Sequence, residues 1–331
     1  MKNHILQSKS FLHQLLFAIM AVLIIIIITG CGSTSSSNSS VESESTMETN
    51  EGEYHEIIHQ LGVTQVPDEP ERIAVLSSNF VDNLYVFDII PIVAGESALS
   101  NEKISSLLPQ DLYEDVQFIS EDEVDLEVIL AAEPDLIIGQ EKTGKIYEEL
   151  SKIAPTVILG NDDWRETHFN FGEILGRDEE AQAWMDQYEQ KAEEAKQKIS
   201  ESIGEETVAF MRVLPKEFRL HGTTDQRFID GTLFQDLGLN PANGVPEERQ
   251  AISLEGIALV NADHFFLDYN TASQENDQAI ERYKSLTESV IWQQLTAVEN
   301  DNVYLVPDWF IQVSPYARSM VIDYVVETLV E

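Results

Sequence analysis

The chain has a single cysteine, Cys31, so no disulfide can close within it. Basic residues are scarce. The chain carries 20 Lys and Arg against 59 Asp and Glu, a formal net charge of −39. A chain this acidic is a poor partner for nucleic acid or an anionic lipid surface. Histidines are few and scattered. His55 and His59 lie four apart and would share a helix face, but no third ligand is near, which argues against a bare divalent-metal centre. Neither Gly-x-Ser-x-Gly nor His-Glu-x-x-His occurs, which removes two common hydrolase signatures. Gly139-Gln-Glu-Lys-Thr-Gly-Lys145 mimics a phosphate-binding loop. Ile146 then stands where Ser or Thr would hold magnesium, and Glu141 would set negative charge among the phosphates. An NTPase is therefore set aside.

Long apolar runs are also rare, and the main one is informative. Lys2 and Lys9 precede fourteen apolar residues, Leu15 to Ile28, followed by Thr29, Gly30 and Cys31. This is the charge, apolar run and small-residue exit of a secretory signal. It is short of the ~20 residues a membrane span needs. Ile28-Thr29-Gly30-Cys31 resembles the lipobox of bacterial lipoproteins, with Ile for the more usual Leu. The resemblance implies cleavage before Cys31, lipidation of its sulfur and acylation of its new amino group. Two or more acyl chains hold a protein stably to a membrane. Residues 32–53 are rich in Ser, Thr, Asn and Glu, too polar to offset their ordering entropy. As a flexible tether they would reach roughly 25 Å. The expected layout is a signal peptide over 1–30 and a disordered tether over 31–54 that begins at a lipidated Cys31.

From Arg72 onward, short apolar runs alternate with helical stretches. Ile73–Leu76, Ile89–Ala94, Val116–Ile119, Leu136–Ile138 and Thr156–Leu159 read as strands. Phe80–Phe87, Ile104–Leu108, Leu126–Ala132 and Tyr147–Ile153 read as helices. This rhythm predicts parallel β/α units. Residues 178–202 break it. Trp184, Tyr188, Ala192, Ala195 and Ile199 recur at helical spacing after the Gly176 break. A helix of ~25 residues is ~37 Å long, which suits a strut between two lobes. Strand character returns at Val208–Met211, Phe218–Leu220, His264–Leu267 and Val303–Val306, with helices at Phe228–Leu237, Leu254–Val260 and Ala317–Leu329.

Six segments carry a family resemblance: residues 70–95, 124–139, 146–159, 227–239, 252–267 and 303–310. In order and spacing they resemble the lipoproteins that deliver ferric siderophores to bacterial ABC importers. The resemblance implies an α/β fold of two Rossmann-like lobes joined by one long rigid helix, the class III periplasmic-binding-protein fold. The lobes are expected at 55–166 and 204–331, with the interlobe helix at 167–203. It further implies an extracytoplasmic, lipid-anchored monomer. Such a protein binds a ferric siderophore and hands it to ABC permease subunits, with no catalysis and no cofactor of its own. Haem, cobalamin and bare divalent metals are the rival ligands, with His221 the candidate haem contact.

In open α/β sheets, ligands bind beyond the carboxyl ends of the strands. That rule selects Ser77, Ser78, Asn79 and Phe80, then Gly95 and Glu96, Gln140 and Glu141, and Asn161 to Arg165. The Ser-Ser-Asn turn either offers N–H groups to an anion or simply caps a helix. Arginine suits an oxygen-rich anion, because it stays charged and presents a planar fork of donors. Of nine arginines, Arg72, Arg177, Arg249 and Arg282 read as solvated, and Arg227 and Arg318 as weak candidates. Arg165, Arg212 and Arg219 remain. Arg219 and His221 lie two apart and so share a strand face. Related chains often carry Tyr at the position held here by His221. Trp164 and Trp309, on loops of different lobes, are candidates to sandwich a chelate. By the same resemblance, Glu102 and Asp236, with Asp230 as a substitute, are the expected permease-docking carboxylates.

Overall fold

The computed structural model describes residues 54–96, 110–160, 163–225, 228–269 and 276–330. The signal segment, Cys31, the tether up to residue 53, the expected helix Ile104–Leu108, Glu102, Asn161, Asp162 and Arg227 lie outside them, whereas Tyr54, expected to end the tether, opens the first strand. Strands are β1 (Tyr54–His59), β2 (Gly62–Pro67), β3 (Ile73–Val75), β4 (Val93–Glu96), β5 (Gln117–Ser120), β6 (Leu136–Gln140), β7 (Thr156–Leu159), β8 (Thr207–Val213), β9 (Phe218–Leu220), β10 (Asn240–Pro241), β11 (Gln250–Ile252), β12 (His264–Asp268) and β13 (Val303–Leu305). Helices are α1 (Val81–Tyr85), α2 (Leu126–Ala131), α3 (Tyr147–Leu150), α4 (Trp164–Ile174), α5 (Asp178–Ile203), α6 (Leu254–Val260), α7 (Asn276–Thr287), α8 (Val290–Gln293), α9 (Thr296–Glu299) and α10 (Pro315–Val330). Among the described residues no helix is long and apolar enough to cross a membrane.

The N-terminal lobe is a parallel sheet in the order β5-β4-β3-β6-β7. Strands β3, β6 and β7 are buried on both faces, as helices on both sides require. Val75, Ile138 and Val157 meet Phe171 and Ile174 of α4 on one face. Ala74, Ile119 and Ile137 meet Ile129 of α2 and Leu150 of α3 on the other. Full burial of each such side chain contributes about 1.5–3 kcal/mol relative to exposure. The antiparallel hairpin β1–β2 closes over the first face through Ile57 and Val66.

The C-terminal lobe is a mixed sheet in the order β11-β9-β8-β12-β13, with β10 joined to the start of β8. Here too the strand residues alternate between two cores. Val208, Phe210 and Phe266 face α5 and α10. Ala209, Met211, Phe265 and Leu267 face Ile257 of α6 and Trp292 of α8.

The two lobes share α5, a helix of 26 residues. Asp178, Glu179 and Glu180 occupy its first turn, where carboxylates suit the positive end of the helix dipole. Ala181 sits in the N-terminal core, whereas Met185, Tyr188, Ala192, Ala195 and Ile199 sit in the C-terminal one. The stretch 167–203, expected as one helix, is in fact two. Gly176 adopts φ +65°, and a Cβ there would lie 2.8 Å from the Asp68 carbonyl oxygen, so α4 ends and α5 starts afresh.

Candidate ligand site

In the C-terminal lobe, the register sets Asp268 beside Arg212 and Arg212 beside Arg219. Directly opposed residues share a face, so the three side chains stand in a row. Arg212 Nε donates to Asp268 Oδ2 at 2.6 Å, and their side chains are 16% and 3% exposed. The terminal nitrogens of Arg212 have no hydrogen-bond partner among the described residues. Arg219 pairs with Glu217, Nε donating to Oε1 at 2.6 Å. The two carboxylates relieve the repulsion between adjacent guanidinium groups and hold each fork in place.

His221 lies on the same face but inside the lobe. It is 2% exposed, its Nδ1 lies 2.6 Å from Oδ1 of the fully buried Asp230, and its ring lies 4.4 Å from that of Phe210. The expected contact with a ligand is therefore corrected. An axial bond from His221 to haem would require the ring to leave this interior. Asp230 itself, spent on His221 and the Gly222 N–H, is not a docking residue.

Trp164 was also expected on a loop. Asp163 accepts from the N–H groups of Arg165 and Glu166, so the helix α4 starts at Trp164. Its ring turns inward, 4% exposed, with an edge-to-face contact on Tyr188 at 5.0 Å. Arg165 and Arg318 lie 4.5 and 5.0 Å from it in cation–π geometry. Trp164 packs against cations of its own chain rather than a chelate. Arg165 itself donates to Asp236 Oδ1 at 2.7 Å, and Tyr188 Oη donates to Oδ2 at 2.7 Å. With its side chain 9% exposed and paired, Asp236 has no carboxylate to present to a permease, so that expectation is corrected too.

Trp309 follows β13 in a short 3₁₀ turn. It is half-buried and packs on Tyr324 at 5.9 Å. Arg318 is fully buried. It donates to the Val313 and Phe228 carbonyls and the Thr232 hydroxyl, and burial pulls it down to about 10.

At the N-terminal lobe, the Ser-Ser-Asn turn follows β3. Gly95 of β4 passes directly beneath it, where a Cβ would lie 2.6 Å from the Leu76 carbonyl carbon. Ser77 Oγ accepts from the Asn79 N–H at 3.3 Å, the capping role. The Ser78 N–H donates to Glu121 Oε1 at 2.5 Å, and Glu121 Oε2 lies 3.2 Å from Lys142 Nζ. Burial pulls Lys142 down, but Asp122 and Glu121 outweigh it and raise its pKa.

The four arginines expected to be solvated each hold a partner. Arg72 donates to the carbonyls of Ala132 and Glu133, Arg177 to that of Phe87 and Arg282 to that of Pro215. Arg249 stacks 3.6 Å from the Phe228 centroid. His55 and His59 lie on a strand, bound to Asp68 and Thr64. Among the described residues no group of three or more His, Cys, Asp or Glu is arranged to hold a metal ion. Residues 141–146 coil into a 3₁₀ turn, not an open phosphate cradle.

Sequence reasoning missed the carboxylates Glu121, Glu217 and Asp268. Only Glu217, two residues from Arg219, left a local signal.

A family profile described as periplasmic binding protein matches residues 73–309. The iron-uptake system-binding protein of Bacillus subtilis is 25% identical over 238 residues, covering 66% of this chain and 74% of its own. The iron(3+)-hydroxamate-binding protein FhuD of Bacillus subtilis is 26% identical over 273 residues, covering 81% and 84%. Among solved structures, Staphylococcus aureus SirA complexed with staphyloferrin B superposes with a TM-score of 0.70 at 23% identity, covering 83% of this chain and 98% of that one.

Proposed function

The chain belongs to the periplasmic binding protein family, and from that premise we propose that it captures a ferric siderophore, hydroxamate or citrate-like, and delivers it to an ABC permease for iron uptake. It acts as a solute-binding protein without catalysis. Relatives named for iron uptake and iron(3+)-hydroxamate binding support the ligand class. The observation that carries the reading is the Arg212–Arg219 pair at the carboxyl edge of the C-terminal sheet, with the terminal nitrogens of Arg212 still available to ligand oxygens. We assign Arg212, Arg219 and Trp309 to the C-terminal wall, and Ser78 and Asn79 to the N-terminal one.

The reading extends to the whole chain. The signal peptide (1–30) is removed, Cys31 is lipidated, and the tether (31–54) holds a monomeric two-lobed body outside the cell membrane. The lobes are 55–166 and 204–331, with 167–203 between them. Glu102 engages the permease.

Tryptophan-fluorescence titration of a soluble form starting at Tyr54 tests the function. The expected result is saturable sub-micromolar quenching by a ferric hydroxamate or ferric citrate. Arg212→Ala should weaken it about tenfold or more, as the loss of hydrogen bonds from a charged donor implies. A response confined to haem, cobalamin or bare divalent metals would overturn the reading.

A further inference from the structure

In an open parallel sheet the ligand crevice lies where the strand order reverses. In the N-terminal lobe the chain runs from β3 out through β4 to β5, then returns to β6 on the far side of β3. The crevice therefore opens between the ends of β3 and β6. Ser78 follows the first of these strands and Lys142 the second. Glu121, just past β5, reaches across to both, with its side chain only 8% exposed. The N–H and the ammonium group that an incoming anion would seek are thus already taken by a carboxylate of the chain itself. Lys142 is also 3.0 Å from Asp122, so one cation there faces two carboxylates. In the other lobe, Arg212 and Arg219 stand beside Asp268 and Glu217. Among the described residues of these clusters, three cations face four carboxylates.

We infer that Glu121 is a specificity-determining residue: it closes the N-terminal wall to anionic ligand groups and selects a ferric complex of zero net charge over a polyanionic one. Three singly charged hydroxamates cancel the charge of iron(III), whereas three doubly charged catecholates leave a trianion. The trianion would be held near a buried carboxylate whose neighbouring cation, Lys142, is already shared by two carboxylates, in a setting less screened than water. The inference rests on the siderophore reading above and narrows its two ligand classes to the hydroxamates, since ferric citrate complexes are themselves anionic.

The test titrates the full chain in detergent with a neutral ferric tris-hydroxamate and a trianionic ferric tris-catecholate, for the wild type and Glu121→Gln. Gln keeps an oxygen for the Ser78 N–H, removes one charge and releases Lys142 from one partner. The wild type is expected to prefer the neutral complex. In Glu121→Gln the ratio of catecholate to hydroxamate affinity should rise about tenfold, and the rise should shrink at high salt. Lys142→Gln, at a half-exposed position, is a second probe that does not depend on how the first variant folds. It should move the ratio the opposite way. Wild-type binding with a ratio unmoved in both variants overturns this inference alone. Failure of the wild type to bind either chelate overturns the siderophore reading and this inference with it.

Discussion

Asp82 on α1 is 4% exposed and accepts from Ser314 Oγ at 2.5 Å, which ties the N-terminal lobe to the residue preceding α10. Burial pushes its carboxyl up to about 6, against which the hydrogen bonds from Ser314 and from its own backbone N–H work only in part. The native carboxyl therefore holds its proton at a pH where the unfolded one has lost it. Between about pH 4 and 6 the folded state binds more protons, so this group's destabilising effect appears as pH rises through that window and is complete above it. A shift of this size corresponds to about 3 kcal/mol. Asp82→Asn should therefore be more stable than the wild type at pH 8, by about 1–3 kcal/mol. The difference should vanish near pH 4. Urea denaturation of both proteins at the two pH values measures it, and an equal difference at both would show that Asp82 does not titrate in this window. The residue scale is also where the sequence was least legible. Strand alternation exposed Arg212 and Arg219, but the carboxylates that pair with buried groups come from distant chain segments. Asp268 lies 56 residues from Arg212, and Glu121 lies 43 from Ser78. No local pattern reports such pairs.

Elements were easier to read, since their signals are local. The apolar spacing from Trp184 to Ile199 marked α5 almost to its ends, and the runs at β7, β9 and α6 matched residue for residue. The hairpin β1–β2 was missed because its apolar partners, Ile57 and Val66, are few and are buried by another sheet rather than by a strong pattern of their own. The 228–237 stretch was expected as an ordinary helix but coils as a π-helix over Gly231–Asp236. The junction between α4 and α5 rests on one close approach. A Cβ at Gly172 would meet the Ala181 Cβ at 2.6 Å, a distance that forces the helices apart. Gly172→Ala gains up to about 1 kcal/mol of helix propensity. Overpacking costs about 1–3 kcal/mol, so the net change should be destabilising by about 1–2 kcal/mol. Adding Ala181→Gly should recover most of that loss, and denaturation midpoints of the single and double variants decide it. A neutral single variant would show that α4 shifts freely on α5.

At the scale of the molecule, the two-lobed form followed from one long helix between two β/α rhythms. How firmly the lobes are held was not legible, because the second brace is tertiary. The helix α5 contributes Ala181 to one core and five side chains, from Met185 to Ile199, to the other. The helix α10 packs Ala317 against Val81, Ala94 and Tyr113 of the N-terminal lobe, and Tyr316 meets Tyr85 edge-to-face at 4.9 Å. Arg165 and Asp236 add an ion pair from α4 to the π-helical segment. A hinge made of one continuous helix resists bending, and here it is braced along a second line, so ligand binding should change the lobe separation little. Spin labels at the exposed Glu148 and Glu299, in a soluble form starting at Tyr54 that contains no native cysteine, would measure this. Saturation with a ferric chelate should move the main distance by less than one helical turn, about 5 Å. Ser314→Ala, which removes the donor to Asp82 and the hydroxyl that accepts from the Ala317 N–H, should broaden the distance distribution of the unliganded protein. A shift well beyond a turn in the wild type would mean that α10 leaves the N-terminal lobe during closure, breaking the Asp82–Ser314 bond, and that the brace is a latch rather than a fixed strut.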